Sequence, residues 1–195
     1  KAQSALLEAM QEQQVTVDGV PHALPQPFFV VATQNPADQI GTFELPESQL
    51  DRFLMCIELG YPDAASERAL LDGLRPANQL AEMRPRLLPE QILVLQDMIS
   101  AVKLAPALLD YLQALVQHTR DASEFTAGLS PRASIALSNA ARAFAFLQGR
   151  NAVYPDDLQA VFPAVAGHRL RVINELKHES ASARAAHVLN AVAIP

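Results

Sequence analysis

Three polar residues stand where folding alone gives them little to do. Asn35 follows the apolar run Phe28-Phe29-Val30-Val31-Ala32-Thr33, whose β-branched and aromatic residues predict a fully buried strand over 28–33. Open α/β sheets bind ligands at the carboxyl ends of such strands, and a neutral amide there orients a water or a phosphate oxygen without adding charge. The plainer use of Asn35-Pro36 is to start a turn. Arg132 falls in the first turn of a helix that Ser130 caps and Pro131 opens. A cation is disfavoured there by the helix dipole, so the position suits an anion on which backbone N–H groups and the guanidinium converge; a solvated arginine, or one paired with a carboxylate, is the alternative. Arg52 ends the short helical stretch Leu45-Pro46-Glu47-Ser48-Gln49-Leu50-Asp51-Arg52-Phe53. With Leu50 and Phe53 facing inward, it projects outward, either to reach phosphate on another subunit or to pair with Asp51 or Glu47.

Other chemistries lack their residues. His22, His118, His168, His178 and His187 show no HxxxH or HExxH spacing, and no cysteine joins them, which argues against a metal site. No serine is framed as G-x-S-x-G, and neither a GxxxxGK[ST] nor a GxGxxG phosphate loop occurs.

The elements that must position the three residues fall into two parts. An opening helix over about 2–13 gives way to the alternating Val15-Thr16-Val17, the turn pair Asp18-Gly19 and Val20, a β-hairpin signal. Pro21, Pro25 and Pro27 make the return strand irregular or an edge. The strand at 28–33, a short helix near 46–53 and a second buried strand at 54–59 follow, ending at Tyr61-Pro62. Beyond Pro62 the pattern is helical, near 64–73, 89–103, 106–119, 131–148, 155–169 and 180–191, with several segments opened by proline.

Composition agrees with a mainly α chain. The 195 residues are 50% hydrophobic, 18% charged and 6% aromatic, with 7 Gly and no Trp, which excludes disordered and fibrous classes. Fifteen basic against 21 acidic residues give 15 − 21 = −6, which excludes a broad nucleic-acid footprint. The single cysteine, Cys56, cannot form an intrachain disulfide and points to a reducing, cytoplasmic setting. No run approaches the roughly 18 apolar residues of a membrane span. The chain opens at Lys1 already in helical pattern, so it is expected to be part of something longer.

Together these segments resemble the MoxR family of AAA+ ATPases. The likeness runs through 1–12, the hairpin Val15 to Gly19, the run Phe28 to Pro36, then Gly41 to Phe53 with Tyr61-Pro62-Asp63, and reaches the helical part at Ser130-Pro131-Arg132-Ala133 and His168-Arg169. It implies a fold that is mainly α: the trailing part of an α/β AAA+ core, with a β-hairpin and two core strands, over 1–62, and an all-α lid over 63–195. It also implies roles. Asn35 looks like sensor 1, Arg52 like an arginine finger acting in trans, Arg132 like sensor 2 on the ATP phosphates, and 15–28 like the pre-sensor-1 hairpin.

The family's Walker A and Walker B elements, which hold ATP and Mg²⁺, do not occur in these residues. The fragment alone is therefore expected to be inactive, although its parent should hydrolyse ATP. The resemblance further implies a homo-oligomeric ring, a hexamer, with von Willebrand factor A domain proteins or other protein substrates as partners. Rival readings are a DNA-translocating motor, a metal-chelatase motor subunit and a non-catalytic helical adaptor. The hairpin carries Asp18 and His22 but no Lys or Arg, which counts against nucleic acid.

Overall fold

A computed structural model of the chain describes residues 2–34, 45–73, 80, 82–173 and 180–195. Asn35 lies outside these residues, as does Gly41 to Glu44 of the motif leading to Arg52. Helix α1 spans Ala2–Glu12 and is followed by strands β1, Gln14–Val17, and β2, Val20–Ala23. The two strands pair antiparallel, with Val17 opposite Val20 across a two-residue turn. Asp18 and Gly19 both take positive φ, 50° and 81°, the backbone that an Asp-Gly hairpin turn demands. Thr16 Oγ1 donates to Glu8 Oε1 at 2.5 Å and ties the hairpin to α1.

The runs at 28–33 and 54–59 depart from the expected buried strands. Neither forms a strand among the described residues, and they are open to solvent, with Phe29 and Val31 each 75% exposed and Leu59 91% exposed. A parallel-sheet strand takes its hydrogen bonds and its cover from neighbouring strands and crossover helices. Among the described residues no strand pairs with either run, and the 54–59 run is held instead from α7 and the residues after it, by Cys56 N donating to the Ala164 carbonyl at 2.8 Å and Arg169 Nη1 donating to the Leu54 carbonyl at 3.2 Å.

Helices follow where capping and periodicity place them: α2, Glu47–Leu50; α3, Ala64–Leu71; α4, Pro89–Ser100; α5, Pro106–Asp121; α6, Pro131–Leu147; α7, Pro155–Ala166; and α8, Ala181–Ala191. Proline opens four of them, α4 through α7, and the side chains of Asp63, Ser130 and Ser180 accept from the N3 backbone of α3, α6 and α8. The core lies between α5, α6, α7 and α8, where Leu115, Leu137, Leu158, Phe162, Val165 and Val188 are fully buried. An alanine stripe on α6, Ala133, Ala136, Ala140, Ala141 and Ala145, lets α7 approach closely. Among the described residues no helix is long and apolar enough to cross a membrane.

Two local devices aim the N-terminus of α6. Buried Thr119 on α5 donates to the Val116 carbonyl at 2.7 Å and accepts from Leu129 N at 3.0 Å, while Arg120 Nε donates to the Leu129 carbonyl at 3.0 Å. Gly128 makes this close approach possible, since a Cβ there would stand 2.5 Å from Arg120 Cα. Helix α7 ends at Ala166, earlier than expected, and releases 168–173 as a non-helical segment. That segment is pinned beside the 122–126 loop by Thr126 N donating to the Arg171 carbonyl at 2.8 Å and Ile173 N to the Glu124 carbonyl at 2.9 Å.

Candidate functional site

The N-terminus of α6, the residues after α7 and the end of α2 meet at one carboxylate. Asp51, the residue after α2, receives Ser130 Oγ at 3.0 Å on both oxygens, Arg132 Nη1 at 3.2 Å and Arg169 Nε at 2.9 Å. The Ser130 hydroxyl works in two directions, giving its hydrogen to Asp51 while accepting Ala133 N at 3.1 Å as the helix cap. A negative group thus sits at the positive end of the α6 dipole, and the cation Arg132 is tolerated in the first turn because Asp51 accompanies it. Burial pushes the Asp51 carboxyl up, but the hydrogen bonds from Arg169 and Ser130, the Arg169 charge and Arg132 outweigh it and hold the group below its ordinary range.

Arg169 is the most enclosed of these groups, its side chain only 5% exposed. Besides Asp51 it grips backbone: Nη2 donates to the Asp51 and Phe53 carbonyls at 2.9 and 2.6 Å, and Nη1 to the Leu54 carbonyl at 3.2 Å and to the Val165 carbonyl. The planar fork of a guanidinium, with donors along two edges, is what allows one side chain to hold a carboxylate and a turn of backbone together.

Arg52 is half-buried rather than projecting outward, and its Nε and Nη1 are buried without a hydrogen-bond partner among the described residues. Neither expected ion pair forms. Asp51 is saturated by Ser130, Arg132 and Arg169, and Glu47 pairs with Arg171 at 3.5 Å. An unsatisfied buried cationic donor is costly, and these two nitrogens are open to an acceptor from outside the described residues. The donor set fits anionic phosphate oxygens. It does not fit Mg²⁺ at Asp51, a carboxylate already receiving two guanidinium groups and a hydroxyl.

Sequence reasoning placed Arg52 and Arg132 in the candidate site, and the structure brings their two segments together through Asp51. Asp51 itself was visible only as a possible partner of Arg52. The role of Arg169 was missed, because its partners lie 115–118 residues earlier in the chain. The usable signal was an arginine placed just beyond the end of α7, next to His168. Burial and the adjacent Arg169 charge push the His168 imidazole down to about 4, against the opposing influence of the nearby Ala164 and Phe53 backbone and of Asp51.

Two family models match the chain: the ATPase family associated with various cellular activities over residues 1–55 and the AAA lid domain over residues 117–188. The protein YeaC of Bacillus subtilis is 41% identical over 197 residues, covering 100% of this chain and 62% of its own length. Chaperone MoxR1 of Mycobacterium tuberculosis is 38% identical over 208 residues, covering 100% of this chain and 54% of its own. The chain belongs to the MoxR family of AAA+ ATPases. A crystal structure from Cytophaga hutchinsonii, described as that of a candidate ATPase, superposes with a TM-score of 0.85 at 34% identity, over 99% of this MoxR-family chain and 62% of its own. The chain therefore spans 54–62% of the length of these relatives. The helix-rich architecture with its small hairpin is that of a partial AAA+ core followed by a helical lid.

The site also sets an acid limit on stability. His168 is neutral when folded, with its group near 4 against 6.5 for the ordinary imidazole, so an unfolded chain binds its proton first as pH falls. Stability is expected to be flat above pH 6.5 and to decline by about 2 kcal/mol between pH 6.5 and 4, allowing for partial solvent access. Asp51, held low, adds a further loss below its ordinary 3.8. Thermal midpoints measured across this range in wild type and His168→Gln check it: the substitution should flatten the slope from pH 6.5 to 4, and equal slopes would contradict the assignment.

Proposed function

We propose that this chain is the sensor and lid portion of a MoxR-type ATPase, in which ATP hydrolysis drives chaperone-like remodelling or maturation of protein complexes. The observation that carries the reading is the meeting of the α6 N-terminus, bearing Arg132, with the turn that bears the half-buried Arg52, whose Nε and Nη1 have no hydrogen-bond partner among the described residues. ATP supplies the transferable phosphoryl group when bound. Arg132 would hold its phosphates from the lid as sensor 2, and Arg52 would stabilise phosphate charge on the neighbouring subunit as an arginine finger. Asn35, as sensor 1, would orient the attacking water. Mg²⁺ is assigned to Walker elements of the parent protein rather than to residues of this chain.

A finger that acts in trans requires a ring, and we take this to be a homo-oligomer, a hexamer, with protein clients that include von Willebrand factor A domain proteins. The division between core and lid is placed at 62–63. An exposed Cys56 as the single thiol suits a cytoplasmic setting. The absence of Lys and Arg from Val15 to Phe28 favours protein over nucleic-acid clients.

Phosphate-release assays on the full-length protein and on this 195-residue chain test the reading. The full-length protein should turn over Mg-ATP and the chain alone should not. Turnover by the isolated chain that disappears in Arg52→Ala would overturn the division of labour, and a full-length protein unable to bind ATP would overturn the function.

A further inference from the structure

Arg169 carries more than lid packing requires. A lid helix can be docked by apolar contacts alone, yet this side chain is 5% exposed and spends all three of its nitrogens on Asp51 and on the carbonyls at 51, 53, 54 and 165. Those at 51 and 53 flank Arg52 on either side. Among the described residues the Arg52 guanidinium makes no hydrogen bond through Nε or Nη1, so these two nitrogens take their place from the backbone that Arg169 grips. Arg169 in turn sits in the 168–173 segment, which is hydrogen-bonded to the 122–126 loop of the lid.

We propose that Arg169 is the positioning residue of Arg52: it fastens the turn around the candidate finger to the lid, so that where the lid stands sets where Arg52 points. The inference rests on the reading of Arg52 as a finger. It adds a direction of communication, from the lid of one subunit to the neighbour's ATP, that runs through Asp51 and the backbone at 51–54. Arg132 shares Asp51 but touches none of these carbonyls, so its contribution to nucleotide binding within its own subunit is separable from this one.

The test is a mutant cycle in the full-length protein under single-turnover conditions, where slow rates can be read. Arg169→Lys keeps a charge for Asp51 but loses the fork that reaches the carbonyls. It should lower the rate of the chemical step by about 10- to 100-fold with the KM for ATP changed less than about twofold, as expected for a misplaced rather than missing group. Combined with Arg52→Ala it should add no further loss.

Multiplying losses in the double variant would overturn the proposal, as would an unchanged rate in Arg169→Lys or a raised KM with the rate unchanged. If Arg52→Ala alone leaves the rate intact, the finger reading has failed, and the positioning role fails with it. Should Arg169→Lys not fold, Arg169→Gln, which keeps a shorter donor without the fork and leaves Asp51 to Arg132, runs the same cycle with the same criteria.

Discussion

Replacing Arg52 with alanine in the full-length protein is expected to lower ATP turnover by about 10³-fold or more, while nucleotide binding and ring assembly persist. The magnitude follows from what a cation delivered to transferring phosphate contributes, since charge develops on those oxygens in a site where water no longer screens it. The separation of binding from turnover follows from geometry. The Arg52 guanidinium has no partner for Nε and Nη1 among the described residues, whereas Arg132 is held at the helix terminus proposed to meet the phosphates of its own subunit. Turnover and ATP affinity, measured side by side, decide it. A loss of affinity with the rate unchanged would place Arg52 in its own subunit's binding site instead. Stability should not fall, because no hydrogen bond through those two nitrogens is given up and an uncompensated buried charge is removed.

The opposite balance is expected at Asp51. Asp51→Ala removes the one carboxylate that Ser130, Arg132 and Arg169 share and leaves the enclosed Arg169 without its counter-charge. Breaking a well-buried pair from one side costs about 3–5 kcal/mol. Asp51 retains 19% side-chain exposure and Arg169 keeps its carbonyl partners, so about 2–3 kcal/mol is the expected loss here. In a protein of this size that lowers the thermal midpoint by roughly 4–12 °C. Arg132→Ala provides the internal comparison, because its side chain is 44% exposed and solvent screens its pairing. It should cost less than about 1 kcal/mol. Equal losses in the two variants would mean that Arg169 does not depend on Asp51 for its charge balance.

The two substitutions therefore separate a group held in readiness from a group that holds the frame. Arg52 makes no hydrogen bond through Nε or Nη1 among the described residues and is expected to matter for chemistry. Asp51 touches no proposed ligand and is expected to matter for the placement of everything around it.

Local chemistry was legible in the residues themselves. Asp18-Gly19 dictates its turn because it tolerates positive φ at both positions, and Ser130-Pro131 dictates a helix start because a hydroxyl cap and a proline at the first helical position each satisfy a local need. The order of motifs from Lys1 to Asp63 was enough to point to the family. Strand formation at 28–33 and 54–59 was not decided by their apolar composition, since a ladder exists only where another strand lies alongside. The alternative pairing of Arg52 with Asp51 does not form for a related reason: Asp51 is its neighbour in sequence but is claimed in space by Ser130, Arg132 and Arg169. Helix caps and turns depend on residues a few positions apart, so sequence by itself determined them. The hub at Asp51 joins groups 79 to 118 positions apart, and which carboxylate meets which guanidinium across that distance is settled only when α6 and the residues after α7 pack against the end of α2.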